Sequence, residues 1–173
     1  VVVSAVQGAT DLLEAAARAA AAGSADLKAV RLRHRSLLSQ LGLDQELLNR
    51  LLTELGYVLE SVRAKKTLEP RERDGILSFG ERMSARILAQ VLRALGVEAT
   101  PVDAFDLGLT SDSNHGRARP LPGALAAMSR TLAAMPGVPV VTGFLAAELH
   151  GNLTTLVRNC SDLTASLVAE AAR

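Results

Sequence analysis

Hydrophobic and polar positions along this chain switch between two periods. Val1 to Ala5 is a short β-branched run that reaches Gly8 and gives way to DLLEAAARAAAA, a strong helix former closed by Gly23. This reads as strand, tight loop, helix. From Asp26 to about Ala64 the apolar positions recur at three and four residues, first at Leu37, Leu38 and Leu41, then at Leu47, Leu48, Leu51, Leu52 and Leu55. The spacing predicts a helical pair, a hairpin on one side of a sheet, with a break at Gly42-Leu43-Asp44 where Asp44 is placed to cap the second helix. Pro70 opens a further helix, which Ser78 to Gly80 interrupts and Glu81 to Leu95 continues up to Gly96. Two buried-strand candidates, Ala99 to Phe105 and Val138 to Phe144, flank a weaker helix from Leu121 to Met135, and the last predicted element is a helix from Leu163 to Arg173. Strands alternating with helices predict an α/β fold with a largely parallel sheet. No repeat, low-complexity linker or shift in composition divides the pattern, so residues 1–173 are expected to form one domain.

Composition removes several classes of function. Charged residues make up 21% and hydrophobic residues 49%, the balance of a chain with a buried core and not of a disordered one. The 19 basic and 18 acidic side chains leave a net charge of +1, and no basic stripe interleaves with Tyr57, Phe79, Phe105 or Phe144, so nucleic acid is not an expected partner. The single Cys160 excludes an internal disulfide, and the absence of a signal-like segment or a long apolar stretch leads to the expectation of a cytoplasmic protein with no membrane partner. His34, His115 and His150 have no metal-site spacing, so no metal ligand is assigned among them. Neither a G-x-x-x-x-G-K-[ST] loop nor a G-x-S-x-G elbow occurs.

Three clusters carry candidate chemistry, each placed where a loop enters a predicted helix. Arg158 offers a guanidinium fork for a carboxylate, next to a helix beginning at Ser161 or Asp162 whose free N–H groups and dipole favour an anion. The plainer reading makes Ser161 an N-cap, Asp162 a first-turn acid and Arg158 a solvated side chain. Glu81 follows Gly80 and precedes the apolar positions Met83, Ile87, Leu88 and Val91, and a glutamate so placed near a helix start is usually a dipole-favourable surface acid. In Ser4-Ala5-Val6-Gln7-Gly8-Ala9-Thr10 the glycine lets backbone approach a ligand flanked by the two hydroxyls, while Thr10 serves equally well as a cap. Cys160 beside the Ser161 helix start reads as a reactive thiol or as an inert one.

Taken in chain order, VVVSAVQGATDLL, SFGERMSARILAQVLRALGV, PVDAFDLGLTSDSNHGRARPL, PVVTGF and GNLTTLVRNCSDLTASLVAEA resemble the catalytic domain of aspartate kinases in the amino acid kinase superfamily, across nearly the whole chain. The resemblance implies a three-layer α/β/α sandwich of the carbamate kinase-like type. It also implies transfer of the ATP γ-phosphoryl group, with Mg2+, to the side-chain carboxylate of L-aspartate in lysine, threonine and methionine biosynthesis, by a homo-oligomer. By position, the family's aspartate contacts fall on Ser4, Thr10, Glu81, Phe144, Thr155, Arg158, Ser161 and Asp162. Arg158 would hold the α-carboxylate and, with Asp162, belong to the catalytic set. Glu81 and Asp162 would orient the ammonium or neighbouring basic groups, and Ser4 and Thr10 would line the pocket.

In family order a K-F-G-G-T-S-like strand would precede Val1, and the nucleotide-pocket half and regulatory ACT domains would follow Arg173. None of Lys28, Lys65 and Lys66 matches the lysine of that strand, so these residues by themselves are expected to show no phosphorylation of aspartate. The glycine-rich G-R-G-G-S-D motif reads Val157-Arg158-Asn159-Cys160-Ser161-Asp162 here, and a valine at positive φ would be an outlier. The alternative function is a non-catalytic amino-acid-binding or assembly module on the same fold. A kinase for glutamate, acetylglutamate or UMP is disfavoured by the SFGE and RNCSD segments.

Overall fold

The computed structural model describes residues 1–157 and 161–173. Its elements are β1 (Val2–Val3), α1 (Ala9–Ala21), α2 (Lys28–Gln40), α3 (Asn49–Lys65), α4 (Pro70–Ala94), β2 (Ala99–Val102), β3 (Thr110–Ser111), α5 (Ala124–Ala133), β4 (Val138–Thr142), β5 (Leu145–Glu148), β6 (Leu153–Thr155) and α6 (Ser161–Ala171). Strands β1, β4 and β2 form a parallel sheet in that order, and β3, β5 and β6 form a second, in which β3 and β5 are parallel and β5 and β6 antiparallel.

The period-two geometry of β4 shows how the layers form. Val140 packs with Ala85 and Ala89 of α4, whereas its neighbour Val141 packs with Met128 of α5 and with Leu167 and Val168 of α6. Adjacent strand residues point to opposite faces, so helices must cover both sides. On the α4 side, α1 and α3 pack against that helix through Leu13, Leu52, Leu55, Leu59, Ile76 and Met83, all buried. The result is the expected three-layer α/β/α arrangement. The predicted helical pair is present as α2 and α3, and Leu48 and Leu52 of the apolar stripe are buried as the pattern requires.

Three local expectations are corrected, and a second sheet has no counterpart in the sequence pattern. Helix α4 runs unbroken through Ser78 to Gly80. Glycine costs a helix about 1 kcal/mol relative to alanine. Here, however, a Cβ on Gly80 would lie 2.8 Å from Ala5 Cβ and 3.3 Å from Leu13 Cδ1, so its absence lets α4 approach the β1–α1 segment. Asp44 does not cap α3: Leu48 holds that position, and Asp44 Oδ1 accepts from Glu46 N at 2.9 Å in the preceding turn. Thr10 is not a cap either, because Gly8 at φ 79° opens α1 and places Thr10 inside its first turn. Finally, the second sheet was not foreseen, since its strands hold two to four residues each and LAAE carries no strand period.

Candidate functional site

The carboxyl ends of β1 and β4 lie side by side, the position at which an open parallel sheet leaves a crevice for ligands. Gly143 N donates to Val3 O at 2.8 Å, drawing the two strand ends together. A Cβ on Gly143 would sit 2.7 Å from Ser161 Oγ and 3.0 Å from Val3 O, so only glycine lets the first residue of α6 reach this point. Ser4 Oγ donates to Ser161 Oγ at 2.8 Å, joining residues 157 positions apart. The next residue, Phe144, adopts φ 65°, a left-handed conformation that costs a non-glycine residue on the order of 1 kcal/mol or more. The strain is held by two bonds: Phe144 N donates to Thr164 Oγ1 at 3.2 Å, and Phe144 O accepts from Leu156 N at 2.9 Å. Val157 is not among the residues at positive φ.

Glu81 lies in the middle of α4, not at a helix start, and only 5% of it is exposed. Its Oε1 accepts from Ala5 N at 3.3 Å, next to Ser4 in the chain, while Oε2 has no partner among the described residues. Burial pushes its carboxyl up to about 7, against the weaker opposing effect of its backbone hydrogen bonds. A buried carboxylate with one oxygen unmet is a costly arrangement for a folded chain by itself and a suitable one for a cationic ligand.

The remaining expected residues divide. Thr155 is turned toward a second carboxylate: its N donates to Asp74 Oδ2 at 3.0 Å and its hydroxyl to Asp74 Oδ1 at 2.6 Å. Gly116 N and His115 Nδ1 reach the same Asp74 Oδ2 at 2.9 and 3.1 Å. Through the pairing of Thr155 with Leu145, this cluster fixes β6 beside Phe144. Thr10 is half-buried, and its hydroxyl makes no hydrogen bond among the described residues. Asp162 is exposed in the first turn of α6, where its carbonyl accepts from Ser166 Oγ at 2.9 Å. Arg158, Asn159 and Cys160 lie outside the described residues. The structure therefore brings together Ser4, Glu81, Phe144 and Ser161, with Thr155 one strand away.

Asp74, His115, Gly116 and Gly143 were not singled out by sequence. Asp74 carries one usable signal: it precedes Glu81 by seven residues, two helical turns, and so shares its buried face. On the neighbouring face of α4, Asp103 engages Arg82 and Arg86, and Arg82 lies 4.8 Å from the centre of the Phe79 ring. These arginines anchor α4 to the end of β2, and Arg82 Nη2 also reaches Glu54 Oε2 of α3 at 3.3 Å. Among the described residues no group of three or more His, Cys, Asp and Glu is placed to hold a metal ion, and no helix is long and apolar enough to cross a membrane.

Comparison with known proteins supplies the family. The model of the amino acid kinase family matches residues 1–173. Lysine-sensitive aspartokinase 3 of Escherichia coli (strain K12) is 34% identical over 180 residues, covering 99% of this chain and 39% of that protein. Aspartokinase 1, chloroplastic, of Arabidopsis thaliana is 34% identical over 151 residues, covering 84% of this chain and 26% of that protein. The crystal structure of E. coli aspartokinase III in complex with aspartate and ADP, in the R-state, superposes with a TM-score of 0.81 at 30% identity, covering 98% of this chain and 39% of that one. The chain thus spans about a quarter to two fifths of the length of the relatives it matches. With the layered fold, the crevice at the strand ends and these likenesses in agreement, the chain belongs to the amino acid kinase family, among relatives that are aspartokinases.

Proposed function

We propose that these residues form the L-aspartate-binding part of an aspartate kinase, which transfers the γ-phosphoryl group of ATP to the side-chain carboxylate of aspartate. The observation that carries this reading is Glu81 Oε2, a buried carboxylate oxygen without a partner among the described residues, close to the bonded pair Ser4 and Ser161. An α-ammonium group would complete its hydrogen bonding and draw its titration back toward the ordinary carboxylate range. Arg158 would grip the α-carboxylate from the segment entering α6, with Asp162 in that helix's first turn, and Phe144 and Thr155 would shape the wall that holds the side chain. When bound, ATP with Mg2+ supplies the phosphoryl group. The described residues contain neither a metal donor set nor a phosphate-cradling G-x-x-x-x-G-K-[ST] loop to hold that group. The relatives' names and the E. coli complex with aspartate and ADP support the assignment. A homo-oligomer in the cytoplasm, acting on free amino acid and nucleotide, belongs to the same reading.

Calorimetric titration of the full-length protein tests it. L-Aspartate should bind, and succinate, which has both carboxylates and no ammonium, should bind at least tenfold more weakly. Glu81→Gln should erase most of that difference by weakening aspartate alone. Equal affinity for aspartate and succinate in the parent protein would remove the basis of the reading.

A further inference from the structure

A cavity of about 580 Å³ borders the Asp74 cluster through Gly116 and is lined by Arg73, Asn114, Gly116, Arg117, Arg119 and Val157. Three guanidinium groups and no carboxylate line it. Their circumstances differ in an informative way. Arg73 is half-buried and spends its Nε on Glu14, at 3.1 and 2.9 Å from the two carboxylate oxygens, which holds the side chain in one orientation. Its Nη1 lies 3.9 Å from where a Cβ on Gly116 would stand, so the glycine leaves the guanidinium edge uncovered. Gly116 itself, at φ 79°, is pinned by its bond to Asp74. Arg117 and Arg119 are exposed, and their side chains have no ion-pair or hydrogen-bond partner among the described residues. The wall is therefore pre-oriented at Arg73 and Gly116 and adaptable at Arg117 and Arg119. Two of its three positive charges have no ion-pair partner among the described residues.

We propose that this cavity binds a small, multiply charged anion, a phosphorylated metabolite or a polycarboxylate. A guanidinium fork recognises both chemistries bidentately, and the volume exceeds that of a single phosphate. Asn114 supplies a neutral donor at the rim. The inference is independent of how the Glu81 crevice is used, since none of the six lining residues belongs to that set.

Calorimetric titration of the full-length protein at low ionic strength, with pyrophosphate in one arm and citrate in the other, distinguishes the two sources. At least one anion is expected to bind saturably at one site per chain, and the tighter of the two identifies the chemistry. Arg117→Gln combined with Arg119→Gln should weaken that binding tenfold or more, two charge-assisted contacts having been lost. Both positions are exposed, so unchanged thermal unfolding is expected and separates lost binding from lost fold. Absence of saturable binding by either anion, parental affinity in the double variant, or competitive displacement of the anion by ADP would overturn the proposal.

Discussion

Two buried carboxylates stand two turns apart on α4 and meet opposite circumstances. Asp74 is 1% exposed and accepts from four donors, the backbone N–H groups of Thr155 and Gly116, the Thr155 hydroxyl and His115 Nδ1. Glu81 is 5% exposed, accepts one long bond from Ala5 N, and has no partner for Oε2 among the described residues. The same chemical group at the same depth is a clamp at one end and an open valence at the other. What separates them is the neighbouring backbone: the 112–120 loop and β6 turn N–H groups inward at Asp74, while at Glu81 Ala5 is the one external donor among the described residues. A saturated buried charge organises a fold, whereas an unsaturated one awaits a partner from outside.

The largest test of this contrast removes the clamp. Asp74→Ala would leave two backbone N–H groups, a hydroxyl and a ring nitrogen without their acceptor, at a cost of about 3 to 5 kcal/mol in urea or thermal unfolding. Glu81→Gln should by comparison leave stability at neutral pH unchanged or raise it, because it removes a charge that burial penalises. A larger stability loss at Glu81 than at Asp74 would invert the comparison.

The pH dependence follows from the raised carboxyl of Glu81. Its folded value of about 7 lies above the ordinary 4.5, so between those values the folded state holds a proton that the unfolded state has released. The stability from this group is complete below about pH 4.5 and is lost as pH rises through about 7, by on the order of 3 kcal/mol. Unfolding free energies of parent and Glu81→Gln measured from pH 5 to 8 should diverge over that window, and parallel curves would show that Glu81 is ionised throughout. Ligand binding carries the opposite slope. Affinity for L-aspartate should strengthen as pH rises to about 7, where Glu81 becomes anionic before ligand arrives, and then level. In the same assay at pH 8, Glu81→Gln should lose about 1.5 to 3 kcal/mol of aspartate binding, on the order of 10- to 100-fold.

The division between the two acids also marks where sequence reading stopped. Periodicity exposed the long helices and the parallel strands β2 and β4, because each repeats its apolar spacing several times. The SFGE segment singles out Glu81, but Ser78 and Gly80 look like breakers and so point to a helix start there. The local preference lost to the close approach of Ala5 and Leu13, which only tertiary structure reveals. Asp74 was missed altogether: its partners lie 41, 42 and 81 residues away, on a loop and a three-residue strand too short to carry a pattern. Gly143 escaped for the same reason, since its need for glycine comes from Ser161, far along the chain.

The smallest expected effect belongs to Ser4, whose hydroxyl joins β1 to α6 at the mouth of the crevice. It is exposed, so water can replace the bond to Ser161, and Ser4→Ala should change unfolding free energy by no more than about 0.5 kcal/mol. If the crevice receives an amino acid, the two hydroxyls turn from each other to the ligand, and removing one should weaken L-aspartate by about 1 kcal/mol, roughly fivefold. Ser4→Ala, Ser161→Ala and the double variant form a cycle that separates the roles. Coupling in ligand affinity without coupling in stability places the pair with Glu81, as part of an open site. Coupling in stability as large as the loss at Asp74→Ala would instead make Ser4 and Ser161 a second clamp, and the crevice a seam between β1 and α6.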